Sequence, residues 1–194
     1  MRLPVCNFDL ESDMLCTNCQ ARLDRGELTH FEIEFSKWML EREKEYPSLV
    51  DLTLQRAARV GDRLILVVKK RGKALILGEE ALVNEMTELF GEPLVVEGPT
   101  KLRKVVREFI HPANEVGVNS LYLPDGSKES IVMLRSEDQE RITYTTDELR
   151  LIVSAVMGES VLFEYQRNRI KTEKEDNAPD EFNQRMEEMS RRRF

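Results

Sequence analysis

Apolar side chains recur at three- and four-residue spacing in four stretches of this chain and gather into short runs in six more. The first helical stripe is Phe31, Phe35, Trp38 and Met39, widened by Ile33 and Leu40. It predicts a helix from Thr29 to Tyr46, with Thr29 and Glu32 spaced as a capping box and Pro47 as the stop. Leu54–Val60 and Arg63–Lys69 flank the turn Gly61-Asp62. The second run is apolar and β-branched, so the pair reads as a strand hairpin. Ala74–Phe90 reads as one helix, with Leu75, Leu82, Val83, Met86, Leu89 and Phe90 facing inward and Gly91 as its C-cap. Leu94-Val95-Val96 is a short strand bounded by Pro93 and Gly98-Pro99.

The second half repeats these signals. Lys101–Ile110 is a helix with Leu102, Val105, Val106, Phe109 and Ile110 inward, ended by Pro112. Ser120–Leu123 and Ser130–Arg135 read as strands around the turn Pro124-Asp125-Gly126. Thr146 is the expected cap of a helix striped by Leu149, Ile152, Val153 and Val156 and closed by Gly158. Val161–Tyr165 is the last strand. Leu89-Phe90-Gly91-Glu92 and Val156-Met157-Gly158-Glu159 echo each other, each a helix end entering a strand. The expected class is α+β: one or two tandem β-β-α-β units behind a cysteine-bearing segment. The divisions read 1–26 for that loop-rich segment, 27–100 and 101–166 for the units, and 167–194 for a charged tail.

Composition narrows the roles. With 194 residues the chain can build one sizeable core or two small ones. Charged residues reach 34% and the net charge is −7, which argues against coating nucleic acid by bulk charge. Local basic patches remain. One is Lys69, Lys70 and Arg71 with Lys73; the other is Lys101, Arg103, Lys104 and Arg107 on one helix face. Each reads either as a phosphate contact or as ordinary solvated surface. No stretch approaches the ~18–20 apolar residues of a membrane helix, and the N-terminus lacks a signal-peptide core, so no membrane partner and a cytoplasmic location are expected. There is no phosphate-binding glycine motif followed by lysine, no HExxH and no nucleophile elbow. His30 and His111 stand apart. Binding rather than catalysis is the expectation.

All three cysteines lie in the first nineteen residues. An odd, clustered set points to metal ligation more than to a disulfide framework. Cys16-Thr-Asn-Cys19 has the two-residue spacing that aims two thiolates at one tetrahedral ion, and Cys6 and Asp9 repeat it upstream. Cys6, Asp9, Cys16 and Cys19 are thus the candidate ligands of a structural zinc. The other reading is a metal-free segment that folds by packing on the helix behind it.

The order of short motifs resembles the archaeal NusA-like KH-domain proteins. The residues carrying the likeness are Cys6-Asn-Phe-Asp9, Cys16-Thr-Asn-Cys19-Gln20, Leu23-Asp24-Arg25-Gly26-Glu27 and the stretch from Gly117-Val-Asn119 to Pro124-Asp125-Gly126. The resemblance implies KH-like units, single-stranded RNA as ligand, and transcription or ribosome machinery as partner. A KH unit clamps nucleic acid with a Gly-x-x-Gly loop between two helices. Here the corresponding positions read Leu77-Gly78-Glu79-Glu80, so Gly78 alone remains and two carboxylates stand near the phosphate path. Asp9 likewise replaces the family's second cysteine. Two functional expectations follow: an RNA-associated adaptor with weak or altered RNA binding, or a protein–protein module that has lost it.

Overall fold

The computed structural model describes residues 1–98, 101–124, 126 and 128–166. The tail at 167–194 lies outside the described residues. The class is α+β, with two three-stranded sheets and seven α-helices among the described residues.

Two short helices open the chain, α1 (Asn7–Ser12) and α2 (Thr17–Asp24), followed by α3 (His30–Arg42). The loop-rich reading of residues 1–26 is therefore corrected: Cys6 and Cys16 each sit in extended backbone as the N-cap of a helix. Helix α3 begins as its sequence implies. The Thr29 hydroxyl accepts the Glu32 amide hydrogen, and the Glu32 carboxylate accepts the Thr29 amide.

Sheet 1 is built from β1 (Leu54–Val60), β2 (Arg63–Val68) and β3 (Glu92–Glu97). Strand β2 pairs antiparallel with β1 and parallel with β3. A parallel return needs a crossover, which α4 (Gly72–Leu77) and α5 (Glu80–Phe90) supply. The single helix expected over 74–90 is thus two. Gly78 ends α4, and Glu79 in non-helical backbone starts α5, where Glu80 suits the positive helix N-terminus. Leu82 and Met86 are buried as expected, whereas Leu89 is exposed.

Sheet 2 repeats the topology. Helix α6 (Leu102–Ile110) precedes β4 (Gly117–Tyr122) and β5 (Lys128–Arg135), an antiparallel pair. Helix α7 (Thr146–Met157) then returns the chain to β6 (Ser160–Gln166), parallel to β5. The cap of α7 is Thr145, one residue before the expected Thr146, because a box needs an acid three residues on: Glu148 stands there for Thr145, and Leu149 for Thr146. The sequence echo has a structural counterpart: Gly91 and Gly158 both take positive φ at the entrance to a parallel strand. At Gly91 a Cβ would collide with the carbonyl of Asp62.

The layers explain the burial. Leu64, Leu66 and Val68 of β2 join α3, α4 and α5 in one core with Phe35, Met39, Ile76, Leu82 and Met86. Ile65 and Val67, on the opposite face, join α6, α7 and sheet 2 in another. Leu64–Val68 is an unbroken apolar run because β2 is covered on both sides. A third, small cluster of Val5, Leu10, Cys19 and Leu28 seats the N-terminal helices on Ile33 and Leu40 of α3.

Because β2 serves both cores, they should unfold together. Ile65→Ala should lower stability by about 2–5 kcal/mol. It should also shift the denaturation midpoint seen by Trp38, the single tryptophan, which packs in the opposite core. Parallel fluorescence and circular dichroism titrations check this; a Trp38 transition left in place would show independent cores.

Candidate metal centre and basic surface

Cys6 and Asp9 are the N-cap and third residue of α1; Cys16 and Cys19 hold the same positions in α2. Side chains at those two positions both fold back over a helix N-terminus. Two such termini facing each other bring four side chains to one point. Their ligand atoms all lie within 4.8 Å of one another. The Cys19 and Cys6 sulfurs are 3.7 Å apart, close to the ~3.8 Å between thiolates on a tetrahedral zinc with ~2.3 Å bonds. The Cys16 amide donates to Asp9 Oδ2 at 3.1 Å, and the Cys19 amide donates to the Cys16 sulfur at 3.5 Å. The four residues are close enough to hold a metal ion.

Burial grades across the centre. Asp9 and Cys19 are buried, Cys16 is half-buried and Cys6 is exposed. Burial pushes the Cys19 thiol up to about 12, and its hydrogen bond to Asp9 adds to the rise. The same hydrogen bond, with that from the Cys16 amide, holds the Asp9 carboxyl below its ordinary value. Arg22 of α2 donates to the Pro4 carbonyl at 2.7 Å and closes the segment behind the ligands.

The basic residues divide differently from their order in the sequence. Lys69, Lys70 and Arg71 follow the end of β2, and Lys73 lies in the first turn of α4. Val68 is registered against Glu97, and the Gly98 amide donates to the Val68 carbonyl at 2.7 Å. The β2 and β3 exits are therefore side by side at one end of sheet 1, where Lys69–Arg71 follow β2; Lys101 is the N-cap of α6. Lys69, Lys70, Lys101 and Lys104 are exposed and form no ion pair among the described residues. Lys73 stands 3.9 Å from Glu108 of α6, and the Arg71 amide donates to Glu97.

Arg103 and Arg107 are engaged otherwise. Arg107 grips Glu115 through Nε and Nη2 at 2.7–3.0 Å, and Arg103 approaches the same carboxylate at 3.8 Å. The Arg107 fork holds the Glu115 carboxyl below its ordinary value. Sequence reasoning missed Glu115: it lies eight residues beyond Arg107 across a Pro112 turn, a spacing that no helix or strand period marks. Gly78 and its neighbours form the turn between α4 and α5. There the Glu79 carboxylate accepts the Ser48 hydroxyl at 2.7 Å.

No family model matches the chain, and no curated relative matches it. The solved structure of APE1850 aligns with it at 20% identity, over 64% of this chain and 96% of that one, with a TM-score of 0.45.

The Glu115 clamp has a defined pH response. Its carboxyl is held low in the folded protein, so its contribution is fully present above the unfolded value of ~4.3 and fades as pH falls through the lower folded value. Glu115→Gln should reduce stability near neutral pH and remove this part of the acid-side loss. Unfolding midpoints measured from about pH 6 to pH 3 check it; an unchanged pH profile would mean the clamp contributes nothing to stability.

Proposed function

We propose that this protein is a non-enzymatic RNA-associated adaptor. A structural zinc at Cys6, Asp9, Cys16 and Cys19 rigidifies its N-terminal segment, and the basic end of sheet 1 makes weak contact with single-stranded RNA. One observation supports the RNA part: β2 and β3 run parallel and leave sheet 1 at the same end, β2 into Lys69–Arg71 and β3 toward the basic helix α6. The order helix, hairpin, helix, turn, helix, strand from α3 to β3 supports a KH-like reading, since the KH loop also joins two helices. The transcription or ribosome machinery is the partner class that goes with this reading.

The zinc part rests on donor chemistry. Thiolates and a carboxylate form an accepted zinc shell, and ligation would replace the Cys19 thiol proton. Purified without added metal, the protein should carry about one zinc per chain. Cys16→Ser with Cys19→Ser should abolish the metal and loosen residues 1–26, while the larger cores stay folded. Elemental analysis with circular dichroism decides it; a metal-free protein with an ordered N-terminal segment would refute the zinc.

The turn at 77–80 sets the expected affinity. Glu79 and Glu80 repel phosphate, and the side chain of Leu77 blocks the close backbone approach that glycines allow. Labelled single-stranded RNA should bind weakly, and more weakly still after Lys69→Glu with Lys104→Glu. Replacing residues 77–80 by Gly-Lys-Gly-Gly should tighten binding at low salt and steepen its salt dependence. Titration at two salt concentrations tests all three proteins. Tight, salt-insensitive binding by the natural chain would place the site elsewhere. A second reading, a protein–protein module without RNA, is favoured by the Glu115 clamp, which engages two of the three cations within α6. Absence of binding by all three proteins would select it.

A further inference from the structure

Among the described residues, one face of sheet 2 packs into a core and the other joins none. Val132, Leu134, Val161 and Phe163 point into the core shared with α6 and α7. The intervening residues point away. The register sets Asn119, Ile131 and Leu162 in one row across the three strands, with Met133 beside Glu164 in the next row and Leu121 beside Glu129 in the other. Leu121, Ile131, Met133 and Leu162 thus form an apolar strip that joins none of the three core clusters. Leu121 is 47% exposed. Glu129 and Glu164 give the strip an acidic rim.

The chain itself carries a complementary segment. Strand β6 is an edge of this sheet and ends at Gln166, from which 28 further residues follow. Within them Phe182, Met186 and Met189 recur at four- and three-residue spacing; over 180–193, Asp180, Glu181, Glu187 and Glu188 match the arginines in number, and the positive charge gathers at Arg191–Arg193. The connection from Gln166 to Phe182 can span up to ~50 Å when extended, while a three-stranded sheet is only ~10–15 Å across. Tethering on this scale gives an effective concentration of order millimolar, well above that of a second copy in dilute solution.

We propose that residues 180–193 dock on the outer face of sheet 2, with Phe182, Met186 and Met189 against the strip of Leu121, Ile131, Met133 and Leu162, and with the arginines toward Glu129 and Glu164. This assignment is independent of the RNA reading.

The test uses the full chain and its variant Phe182→Asp with Met186→Asp, observed by methyl resonances of Ile, Leu and Met. The expected result is shifts at Leu121, Ile131, Met133 and Leu162, unchanged resonances at Ile76 and Leu82, and increased binding of an apolar dye. A charge-reversal variant, Arg191→Glu with Arg192→Glu and Arg193→Glu, should move the same four residues in the same direction by less. No shift at the strip would overturn the proposal. So would shifts spread through both cores, which would report general loosening. Shifts of the natural chain that depend on protein concentration would also overturn it and assign the face to a second copy.

Discussion

Everything in this molecule is arranged around burying one strand on both faces. Five consecutive apolar residues, Leu64–Val68, leave β2 no polar face to offer water. Helices must therefore lie above and below it, and a neighbouring strand must lie along each edge. The upper layer comes from α3, α4 and α5; the lower comes from α6 and α7, which also carry sheet 2. Residues from opposite halves of the sequence are thus committed to one hydrophobic body, where burial of apolar surface is the main favourable contribution. The aromatic group Phe31, Phe35, Trp38 and Phe90, with ring centroids 5.2–6.1 Å apart, closes the upper layer where α3 meets the end of α5.

Much of this was legible because each element carries its own period. The stripe Leu149, Ile152, Val153 and Val156 is buried as its spacing implies, and so are Val105, Val106, Phe109 and Ile110. The hairpin ends fall at Gly61-Asp62 as expected. What was not legible depends on contacts distant in sequence. The break at Gly78 is invisible to a helical stripe because Leu75 and Leu82 stand seven residues apart, about two full turns, across it. The helicity of residues 7–24 was hidden because short helices have too few turns to show a face. Their order comes from caps and from packing on Ile33 and Leu40.

The candidate sites show the same division. Two-residue spacing announced Cys16 and Cys19, and the position of Cys6 and Asp9 at the matching helix start makes them partners. Both helices direct the positive ends of their backbones at the cluster, which favours anionic sulfur and oxygen there. The basic surface could be named residue by residue, but its division could not. Lys69–Arg71 follow β2 beside the β3 exit, and the Glu115 carboxylate engages Arg103 and Arg107.

The double coverage of β2 also bears on how the chain can be divided. A cut in the connection between Gly98 and Lys101 would leave sheet 1 on one fragment and its lower helical layer on the other. Each piece would then present a broad apolar wall to water, Ile65, Val67 and Val96 on the first and Val105, Phe109 and Val153 on the second. Such fragments have every reason to recombine and little to remain apart, so the repeat that looks divisible in topology behaves as a single obligate assembly written on one polypeptide.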